Sequence, residues 1–375
     1  MVRCVGLSHL TFHVSNAKQA ALNWCLQFGF KPYRFRGLET GHRDQCSHAV
    51  KLNDIVLVFV SPYHNETSND SINSYLVKHG NSVCDVAMTV NSLSEMTEKI
   101  RSLSIPIKEW TEEDQDGSVS YAQILAFGST THTLIQRNNY PDKHFLPNWR
   151  ANPLRDNLIN SVWSRLPASG LERIDHLAMN QISGTMNKVA QWYADTLQFK
   201  RFWSNDDTII NSKNSGLRAT FMVNDDNEQI KLTINEPIDG SFKSQIQEFI
   251  DYHRGPGVQH IAFSTPNICE SIIQLKDRGV EFLETPYTYY QNLEQRLKEN
   301  NIKIDKEISV LHKHNILVDF DHTGHLYQIF TRPIQDRPTV FLELIERHQF
   351  GGFGAGNIKA LFESIEEEQK QRGNI

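Results

Sequence analysis

The chain has 375 residues, 39% hydrophobic and 22% charged, with a formal net charge of −6. That is enough for two globular domains and lacks the basic footprint of a nucleic-acid binder, and no apolar run approaches the roughly 18 residues of a membrane span. Five scattered cysteines, an odd number, speak for reduced thiols in an intracellular compartment and against a disulfide framework.

In chain order, strand character starts by about Val5, which leaves no room for a cleavable presequence. Gly6 to Phe12 reads as a strand, Ala20 to Leu26 with Trp24 as an amphipathic helix, and Phe28 to Tyr33 as the next strand. Further strands follow at Val83 to Met88 and Thr133 to Arg137. Pro141, Pro147, Pro153 and Pro167 then interrupt regular structure. The same order recurs as Arg173 to Met179, a helical stretch Val189 to Leu197 with Trp192, Leu197 to Phe202, Val258 to Phe263 and Glu343 to Arg347. A last helix spans Asn357 to Glu366, with apolar residues at 358, 361, 362 and 365, behind the glycine-rich run Gly351 to Gly356. Two similar halves, 1–140 and 171–375, are thus joined by a linker, 141–170. The predicted class is α+β with curved mixed sheets.

Three apolar strand segments of the second half each carry one metal-capable residue: His176, His260 and Glu343. Their spacings are 260 − 176 = 84 and 343 − 260 = 83, so only a repeating fold can gather them. Two histidines and one carboxylate form the ligand set of a facial iron(II) site. Their counterparts in the first half are His9, Asp85 and Thr133. Threonine cannot complete a carboxylate triad, so the first half is expected to be a structural copy without metal. His312, His314, His322 and His325 fall among polar residues and turn signals and are read as solvated loops.

Several further segments occur in register: Asn235-Glu236-Pro237, Ser244 to Gln247, Gly257-Val258-Gln259-His260, Tyr287 to Tyr290, Leu326 to Thr331 and Gly351 to Asn357. With the paired strand-helix-strand modules, they resemble the 4-hydroxyphenylpyruvate dioxygenase family and its vicinal oxygen chelate fold, in order from about residue 172 to 373. The resemblance implies Fe(2+) held by His176, His260 and Glu343. It implies an aryl 2-oxo acid and dioxygen as partners, and oxidative decarboxylation coupled to hydroxylation of the same substrate. It implies a cavity lined by Asn235, Gln245 and Gln328. Period two sets Phe330 on the face of Gln328 and Phe341 on that of Glu343, whereas strict alternation turns Gln259 away from His260. The terminal helix, by the same resemblance, is a lid that brings Phe353, Asn357, Ile358 and Phe362 to the substrate. A homodimer and a mitochondrial location, with a cytoplasmic one as alternative, complete the expectation.

Three positions depart from the family pattern: Ala219 stands where serine is usual, Thr233 where proline is usual, and Ile358 where phenylalanine is usual. Isoleucine at that lid position is shared with hydroxymandelate synthase and with the animal dioxygenase-like branch of the family. A branched chain in place of a flat ring reshapes the wall against the substrate ring. The leading expectation is therefore conversion of 4-hydroxyphenylpyruvate to 4-hydroxymandelate, and the alternative is conversion to homogentisate in tyrosine breakdown. Two other classes stay open: a binding or regulatory protein that kept the fold without turnover, and an extradiol dioxygenase or glyoxalase-like isomerase of the same fold.

Overall fold

The computed structural model describes residues 2–374 except 66–67, 69–70, 157–164, 203–208, 212–215, 225–228, 239 and 241, and omits the side chains of 209–211, 355, 358–359 and 363. The first half supplies β1 (Cys4–His13), β2 (Lys31–Arg36), β3 (Gln45–Leu52), β4 (Ile55–Pro62), β5 (Ser82–Val90), β6 (Ile107–Asp114), β7 (Gly117–Phe127), β8 (Thr130–Asn138) and β9 (Arg150–Ala151). They form one sheet in the order β6-β7-β8-β5-β1-β4-β3-β2-β9. The second half supplies β10 (Arg173–Asn180), β11 (Lys200–Arg201), β12 (Ile209–Asn211), β13 (Gly216–Val223), β14 (Lys231–Ile238), β15 (Gly257–Ser264), β16 (Leu317–Phe320), β17 (His325–Phe330) and β18 (Phe341–His348). Their order is β11-β13-β14-β10-β15-β18-β17-β16, with β12 on β13. The segment read as a linker begins inside the first sheet, because β9 pairs with β2 and Phe145 and Leu146 are buried against Val58 and Tyr121.

The first helix runs Ala17–Phe28, longer at both ends than its apolar stretch. The Asn16 side chain accepts from the Gln19 N–H at its start, and Gly29 closes it in the left-handed region at φ 79°. Its partner in the second half is Met186–Leu197. Trp24 is buried against Phe12, Phe28 and Phe59. One apolar core runs through both halves: the rings of Phe30 and Phe263 lie 6.4 Å apart, and a hydrogen bond of 2.7 Å joins His132 Nε2 to Tyr193 Oη. The opposite face of each sheet borders a cavity of its own.

Register makes the internal repeat explicit. In the second sheet His176 pairs with Ala262 and Ala262 with Glu343, while Ala178 pairs with His260. In the first, His9 pairs with Ala87 and Ala87 with Thr133, while Thr11 pairs with Asp85. Both sheets also carry paired bulges: Asp175 and Gln259 are the extra residues in one, Ser8 and Cys84 in the other. A bulge re-aims side chains and breaks the alternation of faces.

The counterpart residues in the first half have settled into hydrogen bonding. Asp85 Oδ1 accepts from Thr131 Oγ1 at 2.6 Å and from Thr133 Oγ1 at 2.9 Å. Burial nevertheless outweighs these donors and pushes the carboxyl up to about 6. A folded-state value above the unfolded one favours folding at low pH, and that contribution is lost as pH rises from about 4 through about 6. Asp85→Asn keeps the acceptor oxygen and removes the charge. It should stabilise the protein by about 1–3 kcal/mol above pH 6, with the gain shrinking toward pH 4. Denaturant midpoints at pH 7.5 and pH 4.5 measure this, and equal effects at both would refute the assignment.

Candidate metal centre and substrate pocket

His176, His260 and Glu343 come from β10, β15 and β18, neighbours in the second sheet. Glu343 Oε2 lies 3.3 Å from His176 Nε2 and 3.3 Å from His260 Nε2. The three are 2%, 8% and 1% exposed. A buried carboxylate facing two imidazoles needs positive charge beside it. Burial lowers His176, but Glu343 and Asp175 overcome it and push the imidazole up to about 9. Burial raises Glu343, and His176 and His260 more than reverse that, to about 2. Burial holds His260 below its ordinary value. This donor set, with both Nε2 atoms turned to one carboxylate oxygen, fits iron(II).

Partners behind the ligands fix them. His176 Nδ1 donates to Asp175 Oδ1 at 2.9 Å. Arg347 grips Asp175 with two bonds of 2.7 Å, from Nε and Nη2. Gln328 Nε2 donates to Glu343 Oε1 at 2.7 Å, and a hydrogen bond of 2.7 Å joins the amides of Gln328 and Asn357. Phe353 lies edge-on to His176 at 5.4 Å and stacks on Phe221 at 4.4 Å. The cavity beside the triad measures about 40 Å³, close to one water molecule's share of ~30 Å³. Phe353, Asn357 and Leu361 belong to its wall, the last two from the terminal helix, Ala355–Gln371.

Known proteins are similar to this chain over nearly its whole length. A sequence model of the Glyoxalase/Bleomycin resistance protein/Dioxygenase superfamily matches residues 173–329. A 4-hydroxyphenylpyruvate dioxygenase from Xenopus tropicalis is 45% identical over 375 residues, covering 100% of this chain and 93% of the relative. One from Caenorhabditis elegans is 44% identical, covering 99% and 93%. The chain belongs to the 4-hydroxyphenylpyruvate dioxygenase family. Among solved structures, a mutant of 4-hydroxymandelate synthase from Streptomyces coelicolor superposes with a TM-score of 0.82 at 28% identity, covering 98% of this chain and 100% of that one. The α+β vicinal oxygen chelate fold expected from the sequence is therefore the fold of this family member.

Most residues expected at the site gather there. Asn235, Gln245, Gln328, Phe330, Phe353 and Asn357 share one cavity wall with the triad. Phe341 sits apart from that wall: it packs on the His260 ring at 5.0 Å and faces an adjoining cavity of about 30 Å³. Phe362 is fully buried with Phe353, Phe221 and Ala219, one layer behind the wall. Ile358 falls within the terminal helix, but its side chain lies outside the described residues. The two other departures from the family pattern, Ala219 and Thr233, line the cavity, with Ala219 opposite Asn235 across β13 and β14.

Some site residues escaped the sequence. Gln259 lines the cavity and donates to Gln245 at 3.3 Å, because it is the bulge residue that alternation misplaces. Leu217 and Phe221 alternate with Ala219 on β13 and could have been found from that period. Gly354 adopts φ 79°, and a Cβ there would collide with the Gln328 amide. His312 and His314 end a helix, Ile308–His314, where solvated loop was expected; Ile308 and Leu311 dock it on the core. His325 and His348 stack at 4.6 Å beside Asp305 and Lys306. No helix among the described residues is long and apolar enough to cross a membrane.

Proposed function

We propose that the protein is an iron(II)-dependent dioxygenase that converts 4-hydroxyphenylpyruvate to homogentisate. The observation that carries this reading is the convergence of His176 Nε2 and His260 Nε2 on Glu343 Oε2, in a chain 45% identical from end to end to a 4-hydroxyphenylpyruvate dioxygenase. When bound, iron(II) would supply the redox chemistry that couples dioxygen to loss of carbon dioxide from a 2-oxo acid. Gln328 holds Glu343 in place and ties it through Asn357 to the terminal helix. Phe353, Phe330 and Phe221 provide the water-poor wall for an aromatic ring. The amides of Asn235, Gln245 and Gln259 stand in the same wall and suit a phenolic hydroxyl.

Relatives support the ring-hydroxylating product over the benzylic one expected first from the sequence. Frog and nematode relatives at 44–45% identity are named 4-hydroxyphenylpyruvate dioxygenase, whereas the mandelate synthase is 28% identical. The second reading, 4-hydroxymandelate, draws on that synthase's TM-score of 0.82 and on isoleucine at position 358. A barrier difference of ~1.4 kcal/mol changes a product ratio about tenfold, so a single substitution suffices.

Iron-loaded protein should consume dioxygen with 4-hydroxyphenylpyruvate and yield homogentisate by mass spectrometry. Mandelate as main product would establish the second reading instead, and Ile358→Phe should then turn it toward homogentisate. A fully metallated sample without uptake would leave a binding protein. A mitochondrial homodimer belongs to the same reading by family resemblance; fractionation and sedimentation test it.

A further inference from the structure

The larger cavity of the molecule lies in the half without a metal triad. The first sheet borders about 890 Å³, within the ~300–1,000 Å³ of small-molecule pockets. His9, Asp85 and Thr133, the triad counterparts, line it, but Asp85 is already bound to Thr131 and Thr133. Metal chemistry does not account for the space.

Its wall holds buried polar atoms that lack a partner: Arg36 Nε, Tyr121 Oη, Trp149 Nε1, His13 Nδ1 and Glu112 Oε2. Tyr121 is only 4% exposed. Buried polar groups nearly always find a partner, and several orphans in one wall call for a physical reason. Three of the five are N–H or O–H groups and only Glu112 Oε2 is purely an acceptor, so the wall is short of acceptors. Arg36 pairs with Glu112 at 3.0 Å, and the exposed Lys78 and Lys108 outnumber the one remaining carboxylate of the lining, Asp85, which gives the cavity a positive margin. Flat apolar surface is present as well: Trp110 and Tyr121 face each other across β6 and β7 and stack at 4.9 Å and 9°. The Arg36 guanidinium lies 5.6 Å from the Trp149 ring.

A ligand that supplies acceptors, negative charge and a planar ring satisfies the three donors, the positive margin and the ring surface at once. We propose that the N-terminal cavity is a second binding site, for a small aromatic carboxylate, whose ring lies against Trp110 and Tyr121 and whose carboxylate meets Arg36 and Trp149. The site stands on its own lining; only the 4-hydroxyphenyl probes below rest on the proposed reaction. The carboxylate could belong to an aryl 2-oxo acid or to a plain aryl acid, and the two probes separate these sources.

The test uses the full chain carrying His260→Ala and stripped of metal, so that the triad cannot chelate. Calorimetry and tryptophan fluorescence follow titration with 4-hydroxyphenylpyruvate and with 4-hydroxyphenylacetate. One equivalent should bind, and Arg36→Gln and Trp149→Phe should each weaken it about tenfold or more. Stronger binding of the first probe identifies the 2-oxo acid as the ligand; stronger binding of the second identifies the plain acid. Trp149→Phe keeps the ring and the Arg36–Glu112 pair, so it serves if Arg36→Gln fails to fold. No saturable binding up to about 5 mM, or binding indifferent to both substitutions, overturns the proposal. Dioxygen uptake by the unmutated enzyme is measured separately, so loss of the reaction and loss of this site are told apart.

Discussion

Glu343→Gln should lower dioxygen uptake by about a thousandfold or more, equivalent to ~4 kcal/mol of barrier, and should cut the iron content of the purified protein. The substitution preserves volume and leaves an acceptor for the Gln328 amide, which now donates to Oε1 at 2.7 Å. It removes the charge that both imidazoles face at 3.3 Å. Without that charge His176 loses the main influence holding it up to about 9, and a divalent cation loses its only anionic ligand in the set. Metal analysis and dioxygen electrode measurements on folded protein check this. A variant that retains both iron and turnover would show that Glu343 is not a ligand.

That prediction rests on residues the sequence exposes readily. Each ligand sits in mid-strand in a largely apolar run, where a polar residue needs a reason, and the repeat shows that only one half keeps all three. What the sequence hides follows from two physical causes. Bulges remove the two-residue period locally, which conceals Gln259 and Asp175, the extra residues opposite β10 and β15. Long-range pairing leaves no local pattern, which conceals Arg347, 172 residues from Asp175. The terminal helix shows the same limit. Its apolar spacing ends near Glu366, yet the helix continues to Gln371, because Arg372 reaches Glu248 at 2.8 Å and Glu368 meets Arg332 at 3.0 Å. The N-terminal cavity is illegible for a third reason: Arg36, Trp110, Tyr121 and Trp149 lie far apart in the chain and carry no shared motif.

Arg347→Gln should weaken iron binding and turnover by about 10–100-fold, the usual effect of losing a partner behind a metal ligand. The guanidinium works in two directions. Nε and Nη2 hold both oxygens of Asp175 at 2.7 Å, and Asp175 in turn holds Nδ1 of His176. Nη1 donates to the carbonyls of Phe350 and Gly352, where the chain turns toward the terminal helix. Burial alone would raise Asp175; Arg347 and His176 instead hold it far below the usual carboxylate range. A depressed folded-state value adds stability above the unfolded value near 4, lost as pH falls. Removing Arg347 leaves a carboxylate 4% exposed without its cation, a loss of about 3–5 kcal/mol. Lysine cannot replace the planar fork, so Arg347→Lys should recover little. Asp175→Asn separates the two roles, since it spares the bonds to Phe350 and Gly352. If Arg347 positions His176, both variants weaken iron binding, measured by metal titration. If it serves only the chain turn, Asp175→Asn binds iron as the unmutated protein does, and the positioning role is refuted.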